Sequence, residues 1–170
     1  MNYLVIIVIT LIFSAFFSGM EIAFLASNKL RLELNRKQGL FSSRIISIFL
    51  ANPSQFIATI LVGNNIALVI YGLSMARLLE PGIRHITSNE SAILITQTLI
   101  STIIILFTAE FLPKTLVRIN PNAVLTFMSV PLIIIFLLMY PVTYLITSFS
   151  DLIIKKISKS DMIEIKKRCP

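Results

Sequence analysis

The chain has no tryptophan, one cysteine and one histidine in 170 residues. Charge is scarce as well. Asp, Glu, Lys and Arg make up 14% of the residues, against about 25% in a soluble domain. The cysteine, Cys169, stands next to the last residue, so an internal disulfide is excluded and no redox compartment follows from it. The histidine, His85, falls between apolar segments and reads as a solvated loop residue. No period of roughly 20–50 residues repeats, which excludes an array. A basic region ahead of the first apolar run is missing too. That run exceeds the roughly 7–15 residues of a signal-peptide core, so it reads as a retained span.

What remains is apolar: 56% of residues are hydrophobic and the mean hydropathy is +0.89. Four stretches dominate, Tyr3–Ala26, Phe56–Leu79, Ala92–Leu116 and Ala123–Phe149. Each approaches or exceeds the ~20 residues that cross the hydrocarbon core. The net charge of +7 sits beside these stretches, as cytoplasmic flanks of membrane helices do, and does not imply nucleic acid.

The loops orient the spans. Residues 28–44 carry Lys29, Arg31, Arg36, Lys37 and Arg44 against one acid, Glu33, which marks the first loop as cytoplasmic and the N-terminus as outside. The segment Asn28–Leu50 reads as an amphipathic linker helix on the inner surface, broken near Gly39, with Leu30, Leu34, Ile45, Ile46 and Phe49 toward lipid. Asn52-Pro53 starts the second span. The second loop is nearly balanced and holds a Pro81-Gly82 turn signal. The fourth stretch has Lys114 and Arg118 before it and Lys155, Lys156 and Lys159 after it. Both ends favour the inside, and Pro131 and Pro141 interrupt it. The expected fold is therefore an all-α membrane protein: three transmembrane helices, the cytoplasmic linker helix and a kinked juxtamembrane belt helix. A fourth crossing is the competing arrangement. Residues 1–150 form the membrane domain, and 151–170 a basic cytoplasmic tail that can meet anionic lipid.

Polar groups interrupt the spans in "FSGMEIAFL", "VGNNIA" and "EFLPK". Intramembrane carboxylates are rare and costly, so Glu21 and Glu110 mark a functional site or a pairing need. At about 1.5 Å rise per residue, Glu21 lies roughly 9 Å above the inner boundary, with Glu110 at similar depth and Asn64 and Asn65 near 16 Å. Ser14 and Ser18 share one face of the first span. These groups offer oxygen, which suits Mg²⁺, Ca²⁺ or Na⁺ rather than zinc or copper. Gly19 and Gly63 flank them and permit either unwinding toward an ion or close packing. Pro113 cannot donate to the carbonyl of Ala109, which frees backbone beside Glu110. The competing explanation is that small and amide side chains only let helices pack.

Together, "FSGMEIAFLASNKLRLE", "ANPSQFIATILVGNNIA" and "EFLPKTLVRINP" resemble the DUF21 transmembrane domain of the CorC/CorB and CNNM (cyclin M) magnesium transport family, over roughly residues 3–150. The resemblance implies an extracellular N-terminus, a cytoplasmic C-terminus, three crossings, a belt helix and a homodimer in the plasma or inner membrane. It implies Mg²⁺ efflux, with Na⁺ as competing or coupling ion. Carried over, the cation ligands are Ser14, Ser18, Asn64 and Glu110, with backbone near Gly19 and Gly63. Glu21, Asn65, Pro113 and Lys114 then surround the site or its inner vestibule. The first span is expected to be half unwound there. Relatives continue into paired CBS domains that bind ATP. This sequence stops before them, so it reads as the membrane part of a longer protein, and ATP reaches it only through domains it does not include. No nucleic acid partner and no enzymatic activity are expected, because an intramembrane hydrolase needs a nucleophile and base within reach of each other. The alternative function is a membrane anchor or scaffold with a structural cation and no transport.

Overall fold

The computed structural model describes residues 2–28, 30, 32, 34 and 41–168, with side chains at all of these but 41 and 150–168. Every element among them is helical: α1 Tyr3–Ala26, α2 Phe41–Ala51, α3 Pro53–Arg84, α4 Glu90–Ile105, a π-helical turn Leu106–Phe111, α5 Leu112–Ile119, α6 Pro121–Phe127 and α7 Ser129–Arg168. A helix satisfies its backbone internally, which lipid demands. Four helical rods are long and apolar enough to cross a membrane: Tyr3–Ala26, Pro53–Arg84, Glu90–Ile119 and Ser129–Phe149. The third joins α4, the π-turn and α5.

The first helix is the central one. Its buried residues include Ile7, Thr10, Ser14, Phe17 and Phe24, spaced three, four or seven apart as one helical stripe requires. It packs along α3, and also against the π-turn and α5. Two apolar clusters result. The larger one gathers Phe17, Met20, Phe24, Phe49, Phe56, Leu132 and Phe136. Phe56 stacks at 4.3 Å from Phe24 and 4.7 Å from Phe49. The smaller one, nearer the start of α1, joins Ile7, Tyr71 and Met75. The Ser14–Asn64 pair lies between them.

Several expectations hold and several do not. Pro53 occupies the first turn of α3 as expected. The Pro81-Gly82 pair makes no turn: α3 runs through Pro81 to Arg84. Pro81 deletes one donor, and the carbonyl this frees belongs to the exposed Arg77 near the helix end, where solvent can serve it. The chain reverses after His85 instead. There Asn89 Oδ1 accepts from the Ser91 and Ala92 N–H groups and caps α4. Arg84 ties Glu80 (2.9 Å) to Glu90 (3.0 Å) across the reversal.

The linker reading over Asn28–Leu50, including its break near Gly39, lies partly outside the described residues. Within them, Leu30 and Leu34 are exposed as expected. Ile45, Ile46 and Phe49 do not face lipid. They are buried, because Phe136 of α7 closes on Phe49 with ring centroids 5.4 Å apart. The fourth apolar stretch is divided at Met128, between α6 and α7. Pro131 falls in the first turn of α7, where its missing donor has no intrahelical partner to lose, so Pro141 is the interior proline.

Candidate cation site

Hydroxyls in a membrane helix ordinarily donate to the carbonyl one turn back. Here Thr10, Thr59, Ser74 and Thr143 do so, to the carbonyls of Ile6, Gln55, Ile70 and Met139. The other two buried serine and threonine hydroxyls of α1 and α3 behave differently. Ser14 Oγ donates across the helix boundary to Asn64 Oδ1 at 2.7 Å. Ser18 Oγ is buried and has no hydrogen-bond partner among the described residues. A buried polar atom left unpaired costs about 1–3 kcal/mol. Ser14 and Ser18 are four residues apart, so α1 presents one satisfied oxygen and one open oxygen on a single face.

Asn64 and Asn65 part company. Asn64 is half-buried against Ser14, whereas Asn65 is exposed and donates to the carbonyl of Leu61 within its own helix. Asn64 is thus the amide that meets α1.

The glycines have a steric role. A β-carbon on Gly63 would lie 2.6 Å from Phe17 Cε1, and one on Gly19 would lie 3.2 Å from Val117 Cγ2. Gly63 lets Phe17 seat against α3, and Gly19 lets α5 approach α1. The expected half-unwound first span does not occur: α1 is continuous from Tyr3 to Ala26. Close packing holds both glycines in regular helix, which leaves no room for the unwinding their flexibility would otherwise allow.

The irregular backbone is on the third rod. The Leu112 N–H bonds to the carbonyl of Phe107, five residues back. This π-turn carries Glu110, beside the Ala109 carbonyl that Pro113 cannot serve. Single π-turns inside α-helices recur at functional sites. Ala109 is buried inward, while Glu110 is half-buried. Glu110 lines a groove of about 460 Å³ with Phe107, Lys114 and Arg118. It makes no hydrogen bond or ion pair among the described residues. Glu21, by contrast, is paired: Lys114 Nζ lies 3.5 Å from its Oε2. The structure therefore joins Ser14 to Asn64 and Glu21 to Lys114, leaves Ser18 open, and leaves Glu110 facing the groove.

No three His, Cys, Asp or Glu side chains converge among the described residues. What the bundle offers a ligand is a set of neutral oxygens with one unpaired carboxylate on the adjoining helix.

Long apolar helices enclosing such a cluster define a multi-pass membrane domain. The chain belongs to the cyclin M transmembrane N-terminal domain family, whose family model matches residues 5–166. The resemblance to that family is thereby borne out. It is similar to the UPF0053 inner membrane protein YfjD of Escherichia coli K12, at 30% identity over 154 residues, covering 88% of this chain and 34% of the relative. It is also similar to the UPF0053 protein MG146 homolog of Mycoplasma pneumoniae, at 31% over 114 residues, covering 67% of this chain and 26% of the relative. A UPF0053 protein of Haemophilus influenzae is 28% identical over 146 residues, covering 86% and 33%. The chain thus spans between 26% and 34% of the length of these relatives.

Proposed function

We propose that this domain carries Mg²⁺ across the membrane, in the direction of efflux, with Na⁺ as the competing or coupling ion. Ser14, Ser18 and Asn64 supply neutral oxygens, and Glu110 supplies the charge. The observation that carries this reading is the pair of buried hydroxyls withheld from their own helix. Ser14 is spent on Asn64 and Ser18 on nothing, although neighbouring hydroxyls all bond backward.

The spacing suits a small cation. Neighbouring oxygens of an octahedral Mg²⁺ shell, each at about 2.0–2.1 Å from the ion, are about 2.9 Å apart. Ser14 Oγ and Asn64 Oδ1 are 2.7 Å apart. Loading needs only that Ser14 turn its proton away, so that both oxygens present lone pairs. Mg²⁺ sheds water reluctantly, and a carboxylate in a poorly solvated site offsets that cost. The groove beside Glu110 is the approach from the inner side.

The same reading sets the topology. The N-terminus is outside, the C-terminus is cytoplasmic, and α7 is a belt rather than a fourth crossing. Support comes from the charges that flank the fourth apolar stretch: Lys114 and Arg118 precede it and Lys155, Lys156 and Lys159 follow it, so both of its ends favour the inside. A homodimer is part of the proposal. Only 11% of the third rod's most apolar window is buried, and its uncovered face carries Glu110, Lys114 and Arg118, which lipid alone would penalise.

Calorimetry on the purified protein tests the site. Mg²⁺ binding is expected for the wild type and lost in Glu110→Gln, which keeps shape and removes charge. Wild-type affinity in that variant refutes the assignment.

A further inference from the structure

Lys114 sits among charges it does not fully use. Its ammonium reaches Glu21 Oε2 at 3.5 Å, a long contact, with side chains 33% and 28% exposed. Pairs this loose and solvent-accessible stabilise a fold little. Lys114 also follows Glu110 by four residues and lines the same groove. Side chains so spaced on a helix have β-carbons about 5–6 Å apart. A lysine is a compact charge on a flexible four-carbon stem. Lys114 therefore has two carboxylates to choose from, Glu21 on α1, which it contacts in this structure, and Glu110 one turn back on its own rod, with which it shares the groove. Arg118 lies two turns from Glu110, roughly 12 Å along the axis, too far to share it.

We infer that Lys114 is a tethered counter-ion that competes with the transported cation for Glu110, and that Glu21 holds it aside while the site loads. This rests on the reading of Glu110 as the charged ligand. A bare carboxylate at membrane depth is costly, so an empty site gains from an ammonium at Glu110. An arriving divalent cation must displace that ammonium, and an unpaired lysine would repel it. Glu21 removes the conflict by giving the displaced charge a partner within reach. The arrangement seen, with Lys114 on Glu21 and Glu110 unpaired, is the loading-competent one. Glu21 and Lys114 are thus positioning residues that act on the ion through Glu110.

A double-mutant cycle on the purified protein separates this exchange from simple charge effects. Mg²⁺ affinity is measured by calorimetry, and thermal stability in parallel, for wild type, Glu21→Gln, Lys114→Gln and the double variant. Glu21→Gln is expected to weaken binding about tenfold, because the released lysine occupies Glu110. Lys114→Gln should not weaken binding, and the double variant should bind like Lys114→Gln alone. An equal loss from Glu21→Gln in both backgrounds overturns the inference, since Glu21 then acts only through its own charge. So does weakened binding in Lys114→Gln. If Glu21→Gln fails to fold, Glu21→Asp keeps the charge on a shorter stem. It should cost about threefold, and only where Lys114 is present. Glu110→Gln tells the two claims apart. Wild-type affinity in that variant removes both, whereas lost binding with an additive cycle removes the counter-ion role alone.

Discussion

Replacing Gly63 with alanine puts a number on the contact that aligns α1 with α3. The added β-carbon would lie 2.6 Å from Phe17 Cε1 and 2.9 Å from Cε2, and closer still to Cζ. Comfortable carbon contacts are about 3.5–4.0 Å, so the ring must retreat by about 1 Å. Phe17 is buried and packs edge-on against Phe16 at 5.5 Å, while a groove of about 310 Å³ opens beside it. The strain is therefore shared between a shift of the ring and a parting of the helices next to Ser14–Asn64. Overpacking of this kind costs about 1–3 kcal/mol. Alanine returns about 1 kcal/mol of helix propensity, which would mask part of the loss. Gly72→Ala on the same helix is the control, because nothing lies within 4 Å of its added carbon. Both variants share the propensity gain, so the difference between them isolates the clash. Thermal unfolding in one detergent should place Gly63→Ala about 1–3 kcal/mol below Gly72→Ala. Phe17→Leu should recover part of it, and Mg²⁺ affinity should fall in Gly63→Ala. Equal stability of the two alanine variants refutes the packing argument.

The serines should separate folding from binding. Ser14→Ala strands Asn64 Oδ1 and should cost about 1–3 kcal/mol of stability. Ser18→Ala removes an already unpaired oxygen, so its melting temperature should hold or rise while Mg²⁺ affinity drops. A destabilised Ser18→Ala would show that its hydroxyl has a partner in the protein. Pro113→Ala restores a backbone donor toward Ala109. The π-turn should relax to regular helix and rotate Glu110 out of register, weakening Mg²⁺ binding without lowering the melting temperature. Unchanged affinity would show that the π-turn does not position Glu110.

Length and hydropathy made the long helices legible, and Pro53 marked a true start. Local chemistry was readable where its cause is local. Pro113 announces that the Ala109 carbonyl loses its α-helical donor, and the backbone just before Pro113 is irregular. That the irregularity takes the form of a π-turn, with a Leu112-to-Phe107 bond, leaves no mark in the residues. The glycines misled for the same reason. Gly19 and Gly63 are equally good signs of flexibility and of close approach, and their partners, Val117 and Phe17, are set by the fold. Phe49 belongs to a helix whose lipid side looked obvious until α7 covered it. Glu21 looked like an unexplained cost, and Lys114, distant in sequence, meets it. For the candidate site, the residue types were readable. The contrast between a paired Ser14 and an open Ser18 was not, because it depends on how α1 and α3 are rotated against each other.

Flux through the membrane is the most direct test. The purified protein would be reconstituted into vesicles that enclose a Mg²⁺-sensitive dye, and a Mg²⁺ gradient imposed. The wild type should change the dye signal faster than empty vesicles, and Glu110→Gln, reconstituted to the same density, should not. Silence from a wild type that still binds Mg²⁺ would contradict transport and leave a membrane anchor with a structural cation. Equal flux from both proteins would contradict the site.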